Sequence, residues 1–187
     1  ASELSGGLNL GKKARSVNDP FLIEQLTWHC LEEVRHAIVW QRLIKELNVP
    51  LINIHDSQGD EYFSHLGEIK DTLDLLVFTH IFELRVPFHF SMHAKWTKND
   101  KIKNVLEKLI PEEKPHLEWI REYLKKEIDN GNEKVKESIE KFLEIERKTY
   151  DYDLKKLEQM GEEGKNFARL IRDNLNEFEN SKKWWEN

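Results

Sequence analysis

Apolar positions recur three and four residues apart along most of the chain, and no stretch alternates as a strand would, so the pattern predicts helices. The first stripe reads Leu22, Leu26, Cys30, Ala37, Trp40, Leu43 and Leu47. Asp19-Pro20 opens it with an N-cap residue and a proline at the first helical position, and Pro50 closes it. Residues 48–59, holding Pro50 and Gly59, read as a crossover loop. A second helical pattern runs from Asp60 to about Trp96 with Ile69, Leu73, Leu76, His80, Glu83, Phe90 and Ala94 on one face, and Pro87 is expected to kink it one turn after Glu83. A third covers Asp100 to Ile128 and either bends at Pro111 and Pro115 or begins anew at Pro111. Asp129-Asn130-Gly131-Asn132 is a stop signal. Helix resumes over Glu133–Met160, breaks at Gly161–Gly164 and continues to Trp184-Trp185. Residues 1–18 carry Gly6, Gly7 and Gly11 without sustained periodicity and read as an arm, or the tail end of a helix. The fold class is all-α. The length fits one domain, with the arm at 1–18, a helical core at 19–128 and C-terminal helices at 132–187.

Composition narrows this picture. With 39% hydrophobic residues, nine Phe and six Trp, the chain has the material for a packed core. A net charge of -6, with Lys and Arg dispersed among Asp and Glu, gives a nucleic-acid reading no support. No apolar run reaches the roughly 18–20 residues of a membrane span, and no signal peptide is visible, so a cytoplasmic protein is expected. A single cysteine, Cys30, excludes an intrachain disulfide framework and a Cys-x-x-Cys metal knuckle.

Candidate chemistry lies inside the stripes. Glu33 and His36, three positions apart in Glu32-Glu33-Val34-Arg35-His36, fall in the middle of the first apolar face. Eighty residues later Glu113-Lys114-Pro115-His116 repeats the arrangement among Leu106, Leu109, Ile110, Leu117, Ile120 and Leu124. A carboxylate on an apolar face needs a compensating charge. Two such pairs suggest a shared dinuclear metal site, or else capping and packing pairs of no chemical role. Glu83, thirty residues before Glu113 on an inward stripe, adds a third carboxylate, unless it pairs with Arg35 or Arg85. A mostly oxygen donor set with one imidazole per metal suits iron or manganese.

The run Glu-Glu-Val-Arg-His-Ala, a helical Glu and a second Glu-x-x-His resemble the ferritin-like di-iron carboxylate superfamily, which includes rubrerythrins, ribonucleotide reductase small subunits and di-iron oxygenases. Over roughly residues 20–128 the resemblance implies a ferritin-like antiparallel helical bundle, extended here by C-terminal helices. It also implies two iron ions, or one iron and one manganese, with Glu33, His36, Glu83, Glu113 and His116 as ligands, Glu33 and Glu113 bridging. The implied activity is oxidation by dioxygen or peroxide, with electrons from an external donor, since the chain has neither a rubredoxin-type cysteine module nor a nucleotide-binding glycine loop. A homo-oligomer is compatible with it. Iron storage without an organic substrate, and a helical interaction protein with a degenerate site, are the alternatives. The family's first carboxylate has no clear counterpart: the same thirty-residue spacing lands on Glu3, Glu146 on the later stripe is the alternative, and an incomplete site is the third.

Other polar residues on these faces have plainer expectations. Arg35 is expected to pair with a nearby acid, His80 to be a core or supporting histidine, and His89 and His93 to lie at a rim. Cys30 reads as a small core residue. Tyr150 and Tyr152 read as packing residues or redox-active neighbours, and Trp184-Trp185 as an anchor on the bundle or on a partner. His29, four residues before Glu33, resembles a hemerythrin spacing whose further histidines are absent.

Overall fold

The computed structural model describes residues 2–49, 65–181 and 184–186, and these are all-helical, without a strand among them. No described helix is long and apolar enough to cross a membrane. By internal contacts the chain divides into two compact units, residues 1–58 and 59–187.

The first unit is a pair of helices, α1 (Ser2–Ala14) and α2 (Pro20–Glu46). Asp19 caps α2 as its sequence suggests, its side chain accepting from the Phe21 amide at 2.9 Å. Residues 1–18, expected as an arm or the tail end of a helix, are helical over Ser2–Ala14. The inward face of that helix reads Glu3, Gly7, Leu10, Gly11, Ala14, and glycines do not register on an apolar stripe. They register in the packing. A Cβ on Gly7 would sit 2.9 Å from Glu33 Cβ and 3.1 Å from the Cys30 carbonyl, and one on Gly11 would sit 2.9 Å from Cys30 Sγ. The missing side chains let the two backbones approach closely, with α1 running antiparallel to α2. The crossover loop expected at 48–59 lies outside the described residues from position 50 onward.

The described part of the second unit opens on a short 3-10 turn, His65–Glu68. Helix α3 spans Thr72–Glu83; the start expected at Asp60 lies outside the described residues, and residues 65–71, expected within the helix, hold the 3-10 turn and the approach to α3. Asp71 stops the pattern there by accepting from the Asp74 amide at 3.0 Å as an N-cap. The expected kink also moves. The helix breaks at Leu84, and α4 covers Arg85–Trp96. Pro87 has no N–H to give the carbonyl four residues back, which belongs to Glu83, so the interruption falls at Glu83 itself. The third helical stretch is likewise divided, into α5 (Asp100–Leu109), a 3-10 turn over Ile110–Glu112, and α6 (Lys114–Asp129). Gly131, at φ 81°, ends α6: its amide donates to Ile128 O at 2.9 Å, and the Asn132 amide donates to Glu127 O at 3.0 Å. Helices α7 (Lys134–Gln159) and α8 (Glu162–Ser181) complete the unit.

Helix α3 packs on α6 and α7, and α4 packs on α5 and α8. Phe78 and Phe142 meet edge to face at 5.4 Å, and Leu76, Ile81, Leu109, Ile120 and Leu124 of the same unit are fully buried. The buried Asp74 ties α3 to α7, accepting from the Ser138 hydroxyl and from the Lys70 amide. A second cluster joins Met92, Tyr150, Leu154, Phe167, Ala168 and Ile171. A final turn, Trp184–Glu186, fastens the tail onto this bundle: the Trp184 indole N–H donates to His80 Nε2 at 2.9 Å.

Accepting that bond requires a neutral imidazole. Burial, with the Arg121 charge adding to it, pushes His80 down to about 3, and burial beside Arg85 does the same to His89. The unfolded chain protonates these side chains below 6.5, whereas the folded chain does not until about 3. Stability is therefore retained above pH 6.5 and falls as pH drops through that window, by up to about 1.4 kcal/mol per pH unit for each histidine. Urea unfolding at pH 7, 6, 5 and 4 measures the slope. His80→Gln is expected to flatten it by one proton's worth, and an unchanged slope would refute the assignment.

Candidate metal centre

The unit-one residues come from one face of α2. His29, Glu33, His36 and Trp40 are spaced by four, three and four residues and so stack along the helix. Glu33, His29 and His36 are buried, the two imidazoles completely. His36 Nδ1 lies 3.9 Å from Glu33 Oε1, and His29 Nε2 approaches the same oxygen at 3.6 Å. Helix α1 adds Glu3, one turn before Gly7. One ligand atom from each of Glu3, Glu33 and His36 lies within 4.8 Å of the others. Trp40 holds Glu3 there, its indole N–H donating to Glu3 Oε1 at 3.1 Å. Arg35 is drawn aside by Glu32, with Nη2 2.6 Å from Glu32 Oε2. That same Nη2 lies 3.4 Å from His36 Nε2.

The unit-two residues sit at helix ends. Glu83 closes α3 at the break that Pro87 imposes. Glu113 occupies the N-cap position of α6, where a carboxylate faces the positive end of the helix dipole. Pro115, in the first turn of α6, forfeits an N–H that would have no intrahelical partner there. The second Glu-x-x-His thus straddles a helix start and not the middle of a continuous helix. Glu113 and His116 are buried, with Glu113 Oε2 3.6 Å from His116 Nδ1. Glu83 and His116 bring ligand atoms within 4.8 Å of each other.

The candidate carboxylate Glu146 has a different use. It is buried in an ion pair with Arg85, whose guanidinium lies over the Tyr150 ring at 3.3 Å and over Phe178 at 4.7 Å. Arg85 therefore serves Glu146. Tyr150, pushed up to about 12 chiefly by burial, stays a phenol, and its hydroxyl shares a 2.9 Å hydrogen bond with Nε2 of the neutral His89. His93 packs its ring 4.4 Å from Phe167. Comparison of the chain with protein-family models, with curated proteins and with solved structures finds no match in any of the three. The donor chemistry is what remains to be weighed.

That chemistry fits a metal. Glu3 and Glu33 in the first unit, and Glu83 and Glu113 in the second, each offer up to two negative charges, the number that balances one divalent ion. Hard oxygen donors with imidazole nitrogens are the set that iron and manganese take. Two residues of the site were undervalued in the sequence, His29 and Trp40. Both share Glu33's face by simple helical spacing, which was the available signal.

Proposed function

We propose that the chain is a ferritin-like dinuclear iron protein, or an iron–manganese one, that oxidises at the expense of dioxygen or peroxide with electrons from an external donor. The observation that supports it is a repetition. Each unit holds one buried Glu-x-x-His whose carboxylate oxygen lies 3.6–3.9 Å from the imidazole Nδ1, and each adds a further carboxylate, Glu3 or Glu83. Glu3, Glu33 and His36 would hold metal in the first unit, and Glu83, Glu113 and His116 in the second. When bound, the metal pair supplies the capacity to pass electrons to dioxygen or peroxide.

The protein's own residues do the rest. Trp40 orients Glu3 by donating to one of its carboxylate oxygens. Glu32 keeps the Arg35 charge from lying freely beside His36. In the first unit the donors share a helix face with the buried Leu22, Leu26 and Ala37, and in the second unit the buried Leu109 and Ile120 flank Glu113 and His116 along the chain, so each set lies where water is excluded.

Anaerobic ferrous loading followed by metal analysis tests the reading. The chain should hold about two irons, both Glu33→Ala and Glu113→Ala should lose them, and magnetic coupling should mark the two as a pair. No stoichiometric metal after loading would overturn it. Oxygen uptake that ends once the loaded iron is oxidised would assign iron handling without an organic substrate in place of catalysis.

A further inference from the structure

One face of α2 packs against α1 and carries the donors. The face opposite carries a second apolar series. Phe21, Trp28, Leu31 and Ile38 are all exposed, and spacings of seven, three and seven residues keep them on one side of the helix. Leu31 leaves 62% of its surface in solvent and Ile38 43%, whereas Leu26 and Leu43 on the inward face leave 6% or less. A solvent-facing helix stripe is ordinarily polar, so large apolar side chains exposed in register mark a contact surface. The charges on this face are ordered as well. Glu24 is exposed near its start, and Arg42 and Lys45 near its end. Beside that basic end lies a hollow of about 580 Å³ lined by Ile38, Gln41, Arg42, Lys45 and Val49. The face thus presents aromatic side chains and an acid at one end, a concavity and two cations at the other.

We propose that this face is the interface between two copies of the chain, α2 lying antiparallel on α2 about a two-fold axis that passes between Val34 and Arg35. That register sets Leu31 against Ile38 of the second copy, and Ile38 against its Leu31. Glu24 comes opposite Lys45 of the second copy and near its Arg42, while Phe21 and Trp28 come over its hollow. One operation satisfies both ends of the face, as an isologous interface requires. A parallel arrangement would instead put Glu24 on Glu24 and Lys45 on Lys45, like charges that repel. Arg35, nearest the axis, brings no unmatched charge there, because Glu32 holds its guanidinium at 2.6 Å. The donors on the inward face take no part, so the interface is independent of the dinuclear reading.

Sedimentation equilibrium of the metal-free, full-length chain is the test. Wild type should be a dimer in the micromolar range. Leu31→Glu places a charge in the apolar contact twice, once on each side of the axis, and should weaken the dimer at least about a hundredfold. Glu24→Lys and Lys45→Glu, both at exposed positions, should each weaken it about tenfold, since the two-fold axis repeats every contact. Combined in one chain, the two reversals should restore wild-type association, which a parallel pairing would not allow. Circular dichroism should show every variant as helical as the wild type. A chain that stays monomeric throughout the micromolar range would overturn the proposal, and so would a dimer indifferent to Leu31→Glu. A double reversal no tighter than the single ones would overturn it too. Unfolding of Leu31→Glu, with association insensitive to both charge reversals, would assign the face to another segment of the same chain and likewise overturn it. Iron enters none of these measurements, so the dinuclear reading stands or falls apart from them.

Discussion

Glu146→Ala should destabilise the protein by about 3–5 kcal/mol, the cost of leaving a buried guanidinium without its counter-charge. Arg85 and Glu146 are both almost fully enclosed, and the guanidinium is sandwiched over Tyr150 and Phe178, so it cannot swing out to water without dismantling that contact. The pair itself is a different quantity. Two buried ions lose hydration that their attraction only partly returns, so the double exchange Arg85→Met with Glu146→Leu should recover most of the loss. Urea denaturation of the wild type, the two single variants and the double variant closes the cycle. Additive losses in the double variant would show that the two residues act independently. Iron stoichiometry should remain near two in every folded variant of this series, because Glu146 serves Arg85. Loss of iron in Glu146→Ala with Arg85→Met unaffected would return Glu146 to the ligand set.

Gly7→Leu should strike both packing and chemistry. Even a single methyl group there would press on Glu33 Cβ and the Cys30 carbonyl, both main features of α2 that cannot rotate away. A leucine forces α1 off α2, at a cost of about 1–3 kcal/mol typical of overpacking. Glu3, carried one turn along α1, moves away from Glu33 and His36, and iron affinity should fall at least about tenfold. Gly6 is the control. A Cβ on Gly6 meets nothing within 4 Å, so Gly6→Ala should stabilise α1 by about 0.5–1 kcal/mol and leave iron binding unchanged. Thermal melts and ferrous titrations of the two variants decide it, and equal behaviour of Gly6 and Gly7 variants would refute the close approach.

Sequence patterns carried some boundaries exactly and missed others for definable reasons. Asp19-Pro20 and Gly131 mark their helix ends because a cap acts through adjacent residues, which a linear reading sees. Pro87 was seen, but its effect is exerted on the carbonyl of Glu83, four residues earlier, so the break precedes the residue that causes it. The cap at Asp71 was hidden because Ile69 continues the apolar spacing upstream of the start of α3. Helix α1 was hidden because close packing is made there by absent side chains. In the site, Glu33, His36, Glu113 and His116 were legible as motifs and Glu3 by spacing. The choice between Glu3 and Glu146 needed three dimensions, since both lie on inward faces and only Arg85 distinguishes them. Trp40 counted as one more apolar residue until its N–H found Glu3.

The position of Glu3 has a consequence for kinetics. It is carried by α1, which is held close to α2 at Gly7 and Gly11, while Glu33 and His36 are carried by α2 itself. A ligand mounted there arrives and leaves with the contact between the two helices. Metal occupancy and the seating of α1 on α2 then become a single event, and amide hydrogen exchange along α1 would slow on iron loading while the middle of α2 stayed unchanged. The rate of metal entry would be set by how often one helix parts from the other.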